Sequence, residues 1–291
     1  MLVRRKYSSM RNDFAIFILT HGRPNKQDTI SALDKAGYTG KVYLVVDDLD
    51  TSIEEYKKLY NNVIVFDKMK YVALAETGIS EPHIKFALFA RNAIEDIAVN
   101  LKLSYFAMLD DDLTKFRYRY IYENKLRSKD VTNMDDVLNS YINFMEIGNI
   151  STTSLASQSR FLGGISSIPK PNSSKLRACF NFFIRSVKHR VVWKSNICHD
   201  RVTSVLNGRD GQVWLQLPFV QFDMRELYGI NEGGNSDVYR KVTDFYRLFF
   251  NVLFLPDCDR VMYWKKSESW INNIPNYNAL CPMIISDKYR Q

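Results

Sequence analysis

Asp110, Asp111 and Asp112 follow one another directly after an apolar run, Tyr105-Phe106-Ala107-Met108-Leu109, with no basic residue between them. Three like charges at the end of a buried strand repel one another strongly unless a cation lies among them. Carboxylate oxygens are the donors that Mg²⁺ and Mn²⁺ prefer, and such ions keep positions open for phosphate. The cluster reads as the place where a metal holds a nucleotide diphosphate; a solvated acidic turn is the alternative. Two further polar groups close apolar runs: Thr20-His21-Gly22-Arg23 after residues 14–19, and Asp47-Asp48 after residues 42–46.

Those groups need a scaffold that brings strand ends together. Residues 14–19 are a continuous β-rich apolar run, as expected for a strand buried on both faces. A helix is expected over residues 28–36, stopping at Gly37. Strands follow at 42–46 and 63–66, around a short helix at 53–60. A longer helix is expected over 82–101, ahead of the strand that ends in the aspartates. Alternating strands and helices make a parallel sheet the default. Ligands of such sheets bind outside the carboxyl ends of the strands, where all three polar groups lie. No G-x-G-x-x-G or Walker-type loop is present, which argues against dinucleotide oxidoreductases and P-loop phosphotransferases.

Beyond residue 130 the pattern changes. Thr132-Asn133-Met134-Asp135 has the form of a capping box opening a helix that stops at Gly148. Short aromatic segments punctuated by glycine and proline come next, reading as strands and loops. The expectation is one domain over residues 1–291, with a nucleotide-sugar-binding half at 1–130 and an acceptor-binding half at 131–291.

Composition sets outer bounds. A chain of 291 residues and 34.0 kDa can bury a full core. The N-terminus lacks a signal-like apolar segment, and the longest apolar stretch, residues 245–255, is interrupted by Arg247. Four widely spaced cysteines form no C-x-x-C pair. A reduced, cytoplasmic protein with no membrane partner is expected. A net charge of +8 suits an anionic partner without selecting among nucleotide, nucleic acid or another polyanion.

The pair Ala90-Arg91-Asn92 and Leu109-Asp110-Asp111-Asp112 resembles the A-R-N and L-D-D-D signature of GT-A glycosyltransferases, including family 2. More of the chain is similar to the TET-associated glycosyltransferases found mainly in phages. The matching pieces are residues 18–24, 37–48, 90–92 and 109–112, then Asp200-Arg201, Gly208-Arg209-Asp210 and residues 233–239, all in order. The resemblance implies an α/β fold of GT-A type: a Rossmann-like, mainly parallel nucleotide-binding sheet joined to a mixed acceptor half. It also implies a nucleotide-sugar donor, most simply a UDP-sugar, and a hydroxymethylated pyrimidine in DNA as acceptor.

The resemblance assigns roles residue by residue. Thr20, Gly22 and Arg23 would approach the nucleotide, and Asp47 would hydrogen-bond its base or ribose. Arg91 would meet the diphosphate or the aspartates. Asp110 and Asp112 would hold Mn²⁺ or Mg²⁺, and Asp111 would contact the ribose or sugar. A base for the attacking hydroxyl would come from the second half, with Asp210 first, Asp237 second and Glu232 third. The late histidine that many GT-A enzymes add to the metal is missing; Tyr263-Trp264-Lys265-Lys266 stands there, and a lysine can neutralise diphosphate directly. His21, His83, His189 and His199 show no i, i+4 pairing, and most of them read as ordinary surface or hydrogen-bonded residues.

Two basic, aromatic regions are candidate polyanion contacts: residues 116–122, with Arg117 and Arg119, and residues 175–201, with Lys188 and Arg190. An alternating strand with a solvated basic face is the bland reading of both. Two other functions stay open, a GT-A transferase with a saccharide, lipid or protein acceptor and a non-catalytic DNA-binding module.

Overall fold

The computed structural model describes residues 9–74, 87–168, 179–195, 198–225, 244–265 and 269–275. The apolar runs of the first half become β1 (Phe14–Leu19), β2 (Lys41–Asp47), β3 (Val63–Phe66) and β4 (Tyr105–Asp110). Between them lie α1 (Asp28–Lys35), α2 (Ile53–Leu59), the one-turn α3 (Lys68–Val72) and α4 (Ala87–Asn100). These four strands are all parallel, in the order β3-β2-β1-β4. The chain moves outward from β1 to β3 and then returns to the other side of β1. A crevice therefore opens between the carboxyl ends of β1 and β4, the position where such sheets bind ligands.

From β4 the sheet continues as a mixed one. Later strands are β5 (Leu113–Tyr122), β6 (Lys125–Asp130), β7 (Thr152–Ser157), β8 (Phe182–Ser186) and β9 (Trp214–Met224). Their spatial order beyond β4 is β8-β7-β9-β5-β6. Only the β7–β9 pairing there is parallel. β5 and β6 precede residue 131 in the chain yet lie at the far edge of the mixed part. The whole is an α/β fold of GT-A type, with one nine-stranded mixed sheet. A separate antiparallel pair joins β10 (Asp259–Lys265) to β11 (Ser269–Pro275).

Helices cover both faces. α1, α2 and α5 (Met134–Ile147) pack over Ile16, Ile18, Leu44, Val46, Ala107 and Leu109. α3 and α4 cover the alternate residues Ala15, Phe17, Val45, Phe106 and Met108. Each central strand is thus buried on both sides, which is why its sequence is apolar without alternation. Further along stand α6 (His199–Arg209) and α7 (Asp244–Phe254). No described helix is long and apolar enough to cross a membrane.

The cap of α5 differs from the expected capping box. Asn133, not Thr132, is the N-cap, accepting from the Asp136 backbone N–H. Asp135 instead accepts from the Thr39 backbone N–H at 3.0 Å and from its hydroxyl at 2.5 Å, tying α5 to the loop after α1. Gly37 ends α1 with φ +73, and a Cβ there would meet the Thr132 carbonyl oxygen at 2.6 Å. A glycine is required on both counts.

Candidate active site

Leu19 pairs with Asp110 in the β1–β4 register, so Thr20 and the acidic triplet emerge side by side at the crevice. The start of α1 clamps the triplet's backbone. The Thr29 hydroxyl donates to the Asp110 carbonyl at 2.6 Å and accepts from the Leu113 N–H at 2.9 Å, while the Thr29 N–H donates to the Asp111 carbonyl.

Each aspartate has a different environment. Asp111 turns inward and is 2% exposed. It accepts from the Thr20 hydroxyl at 2.6 Å and pairs with Arg23 at 3.3 Å. Tyr56 bonds the same Thr20 hydroxyl and accepts from the Arg23 backbone N–H. Asp111 thereby fastens the loop after β1 to the triplet. Asp110 is a quarter exposed at its side chain and meets Arg91 at 3.3 Å. Asp112 leaves one buried carboxylate oxygen without a hydrogen-bond partner among the described residues.

The electrostatics of the triplet are unfavourable to its own charge. Burial pushes the Asp110 carboxyl up to about 7 despite Arg91, with Asp112 and Asp200 adding repulsion. Burial also raises Asp111, to about 6, against Arg23 and Thr20. Asp112 rises for the same first reason. Asp110 and Asp112 are the carboxylates that could share a divalent cation, Asp110 partly exposed and Asp112 with one oxygen unpartnered among the described residues. Among the described residues no group of three or more His, Cys, Asp or Glu side chains could hold a metal ion, so the two carboxylates stand without a third protein ligand. That donor set suits an ion which completes its shell with phosphate oxygens and water.

Arg91 is the cation of this crevice. It sits on α4, 1% exposed, with its guanidinium carbon 4.6 Å from the Phe183 ring centre and 5.0 Å from that of Trp193. Its Nε and one terminal nitrogen have no hydrogen-bond partner among the described residues. Asn92, the next residue, exchanges two hydrogen bonds with the Trp193 backbone and so holds the ring against Arg91. One residue of the Ala90-Arg91-Asn92 motif supplies the charge and its neighbour builds the wall behind it.

Asp200 enters from the second half, and reading the residues alone gave it no role. It lies in the first turn of α6, 3.7 Å from Arg91 and 3.0 Å from Nε2 of His199. Its Oδ1 and both His199 ring nitrogens lack an aligned hydrogen-bond partner among the described residues. Burial works against ionisation, yet His199 and Arg91 hold the Asp200 carboxyl below its ordinary range. The available signal was His199-Asp200, an acidic residue opening a helix after an aromatic segment. Asp210 is the exposed C-cap residue of the same helix. At about 1.5 Å per residue, it lies about 15 Å along the axis from Asp200. Asp237 and Glu232 fall outside the described residues.

A third cluster lies at the end of β2. Asp47 accepts or shares a proton with His21 Nδ1 at 2.6 Å and faces Lys68 Nζ at 3.6 Å. Burial opposes its charge, but His21 and Lys68 keep the Asp47 carboxyl below the usual range. Asp50 accepts from the Gly22 N–H at 2.6 Å. Gly22 has φ +65 and open space where a Cβ would stand, so a ligand can approach the backbone there. Thr20, Gly22, Arg23, Asp47, Arg91 and Asp110–Asp112 thus flank the ends of β1, β2 and β4.

The candidate polyanion residues are engaged elsewhere. Arg117 pairs with Asp223 at 2.8 Å, and Arg119 donates to Gln221 while lying over the Phe161 ring. Lys188 and Arg190 follow β8 near the start of β4, at the end of the sheet opposite the triplet; they meet Asn149 and Asp96. Lys266 lies outside the described residues.

A parallel half-sheet with an acidic triplet at its switch point, joined to a mixed half, defines an α/β fold of GT-A type. Residues 14–224 match the TET-Associated Glycosyltransferase family, and the chain belongs to it. Its fold is similar to that of the mannosyltransferase PcManGT from Pyrobaculum calidifontis in complex with GDP-Man and Mn²⁺. That match has 9% identity over 79% of this chain and 61% of that one, with a TM-score of 0.47. A protein from Desulfovibrio desulfuricans G20 described as a nucleotide-diphospho-sugar transferase aligns at 10% identity, 84% and 98% coverage and TM-score 0.39. S. aureus TarS 1-349 aligns at 13% identity, 72% and 59% coverage and TM-score 0.37. This chain therefore spans about three fifths of PcManGT and of that TarS fragment. A sequence search of curated proteins finds no match.

Proposed function

We propose that this chain, as one domain, moves a sugar from a nucleotide-sugar, with UDP-sugars the first to test, onto a hydroxymethylated pyrimidine in DNA. The observation that carries the transferase reading is the meeting of Asp110, Asp112, Arg91 and Asp200 at the β1–β4 crevice, with unpaired polar atoms on three of the four. The DNA acceptor is supported by the family to which the chain belongs and by its charge of +8.

In this reading the base lies by Asp47, and the ribose and phosphates pass Gly22 and Arg23 towards Arg91. Asp110 and Asp112 would hold Mn²⁺ or Mg²⁺ jointly with the diphosphate, and that ion would neutralise the leaving group. Arg91 adds fixed positive charge where negative charge develops, in a site already walled by Phe183 and Trp193. In an inverting displacement the acceptor oxygen bonds to the anomeric carbon as the carbon–oxygen bond to phosphate breaks. The electron pair leaves with the nucleoside diphosphate, and the hydroxyl proton passes to a carboxylate. Asp200, beside Arg91 and with its carboxyl held below the ordinary range by His199 and Arg91, is the first candidate for this role; Asp237 is the second. The wide spacing of the four cysteines, with no C-x-x-C pair, fits a reduced, cytoplasmic setting.

The test is incubation with radiolabelled UDP- and GDP-sugars, Mn²⁺ and DNA carrying hydroxymethylated pyrimidines, followed by nucleoside mass analysis. A sugar-bearing pyrimidine is expected. Donor consumption without transfer to any DNA base would reject the acceptor.

A further inference from the structure

The hairpin of β5 and β6 projects past the sheet. β5 pairs with β9 only as far as Tyr118, whereas its pairing with β6 continues to the turn. Residues 119–128 therefore form a two-stranded arm, closed by Glu123 and Asn124 at φ 49 and 55, a tight two-residue turn.

The two faces of the arm differ in kind. Directly opposed residues of an antiparallel pair share a face. One face carries Tyr118 opposite Lys129, Tyr120 opposite Arg127 and Tyr122 opposite Lys125. Tyr120 and Tyr122 are 46% and 59% exposed, and all three cations are exposed. None of these cations has an ion pair or hydrogen bond with another described side chain, and no acid stands on this face. On the other face Arg117 and Arg119 are bound to Asp223 and Gln221.

We infer that the Tyr118–Tyr122 and Lys125–Lys129 face is a docking surface for a DNA strand with unpaired bases, remote from the reaction site. Successive tyrosines on one face stand about 6.8 Å apart, twice the strand rise. That is about twice the 3.4 Å separation of stacked nucleotides, so the exposed rings of Tyr120 and Tyr122 can each take one base that has left its neighbour, while Tyr118 packs against the core at the arm's root. The facing lysines and arginine lie where the backbone phosphates of such a strand would run. β5 starts beside Asp112 and runs away from it, so its tip lies about 30 Å from the triplet. The arm thus holds a polymeric acceptor at a distance while another part of the strand enters the crevice. At the arm's root lies a cleft of about 250 Å³ between α1 and β5, lined by Lys35, Phe116 and the Lys115–Asp130 ion pair. This inference rests on the DNA acceptor proposed above.

The test measures binding without donor or metal, so its result is separable from transfer. Fluorescence anisotropy is read with labelled single-stranded and duplex DNA of about 30 nucleotides per strand, long enough to cover both arm and crevice. K125E/R127E/K129E is expected to weaken single-strand binding at least tenfold and to flatten the log–log salt slope by about 2, as three lost phosphate contacts require. Y120A/Y122A should weaken it by a further factor of at least five, with less effect on duplex. Both variants should melt like the parent and keep its nucleotide-dependent thermal shift. Unchanged single-strand affinity in the charge variant overturns the surface. Equal losses on duplex with no tyrosine effect overturn base stacking. A change in sedimented mass in place of DNA affinity assigns the arm to contact between copies of the chain, which also overturns it.

Discussion

The three neighbouring aspartates are chemically alike and structurally unlike. Asp111 is the fastener of the loop after β1, through Thr20 and Arg23. Asp112 keeps a buried oxygen with no hydrogen-bond partner among the described residues. Opposite outcomes are expected from the same change. Asp111→Asn breaks a buried contact and should lower ligand-free stability by about 1–3 kcal/mol. Asp112→Asn relieves an unpartnered buried charge and should leave that stability unchanged or raise it by about 1 kcal/mol, while removing metal-dependent donor binding. Denaturant melts of both variants, with and without Mn²⁺ and nucleotide, read the difference; equal destabilisation by both would refute the division of labour. The sequence showed that this triplet was special, since three acids after an apolar run are easy to see. Which oxygen faced inward depended on the position of Thr20, ninety residues earlier, and could not be read locally. Asp200 escaped for a related reason. Its meaning lies in being brought to Arg91, and only the fold makes that contact. Replacing it with Asn should cut kcat by about 10²–10⁴ while leaving the donor-induced thermal shift in place. An equal fall in donor affinity would make it a binding residue instead.

At the scale of elements, the parallel half was legible because each strand is a buried, uninterrupted apolar run between helical patterns. The β5–β9 strands were not resolvable from sequence beyond their general character. Their pairing joins residues as distant as Arg117 and Gln221, and their polar positions follow no single rule: those of β6 are exposed at the sheet edge, whereas Thr152, Thr153 and Arg185 are buried. The small helix α3 carries more than its five residues suggest. Lys68 faces Asp47 at the end of β2, while Lys70 and Tyr71 bond Asp96 on α4. Burial opposes the charge on both acids, yet their partners hold each carboxyl below its ordinary range. A depressed folded-state pKa stabilises the protein above the unfolded value, and that contribution is lost as pH falls through the folded one. The loss should thus begin below about pH 4, the unfolded value for aspartate. Asp96→Asn is expected to lower the midpoint of urea unfolding at pH 7 and to flatten its decline between about pH 4 and pH 2. Parallel acid limbs in the two proteins would show that α3 does not act through this pair.

For the molecule as a whole, the sheet spreads charge unevenly: acids gather at the carboxyl ends of the parallel strands, and free cations lie along the distal arm. A protein arranged this way should bind a nucleotide diphosphate weakly on its own, because phosphate would add negative charge to Asp110 and Asp112. A divalent ion held between the two would reverse the sign of that interaction. Ligand binding to the native state stabilises it by about 2.7 kcal/mol at a hundredfold excess over Kd. For a chain of this size that corresponds to a rise in Tm of about 5–10 °C. The rise is expected with UDP or GDP plus Mn²⁺, and should fall below about 2 °C with either nucleotide or metal alone at the same concentrations. Asp110→Asn and Asp112→Asn should each abolish the synergy, whereas K125E/R127E/K129E, on the arm, should preserve it in full. A large shift with nucleotide alone, unchanged by EDTA, would mean that Arg91 and Arg23 neutralise the diphosphate without a metal. The acidic triplet would then serve the scaffold and not the donor.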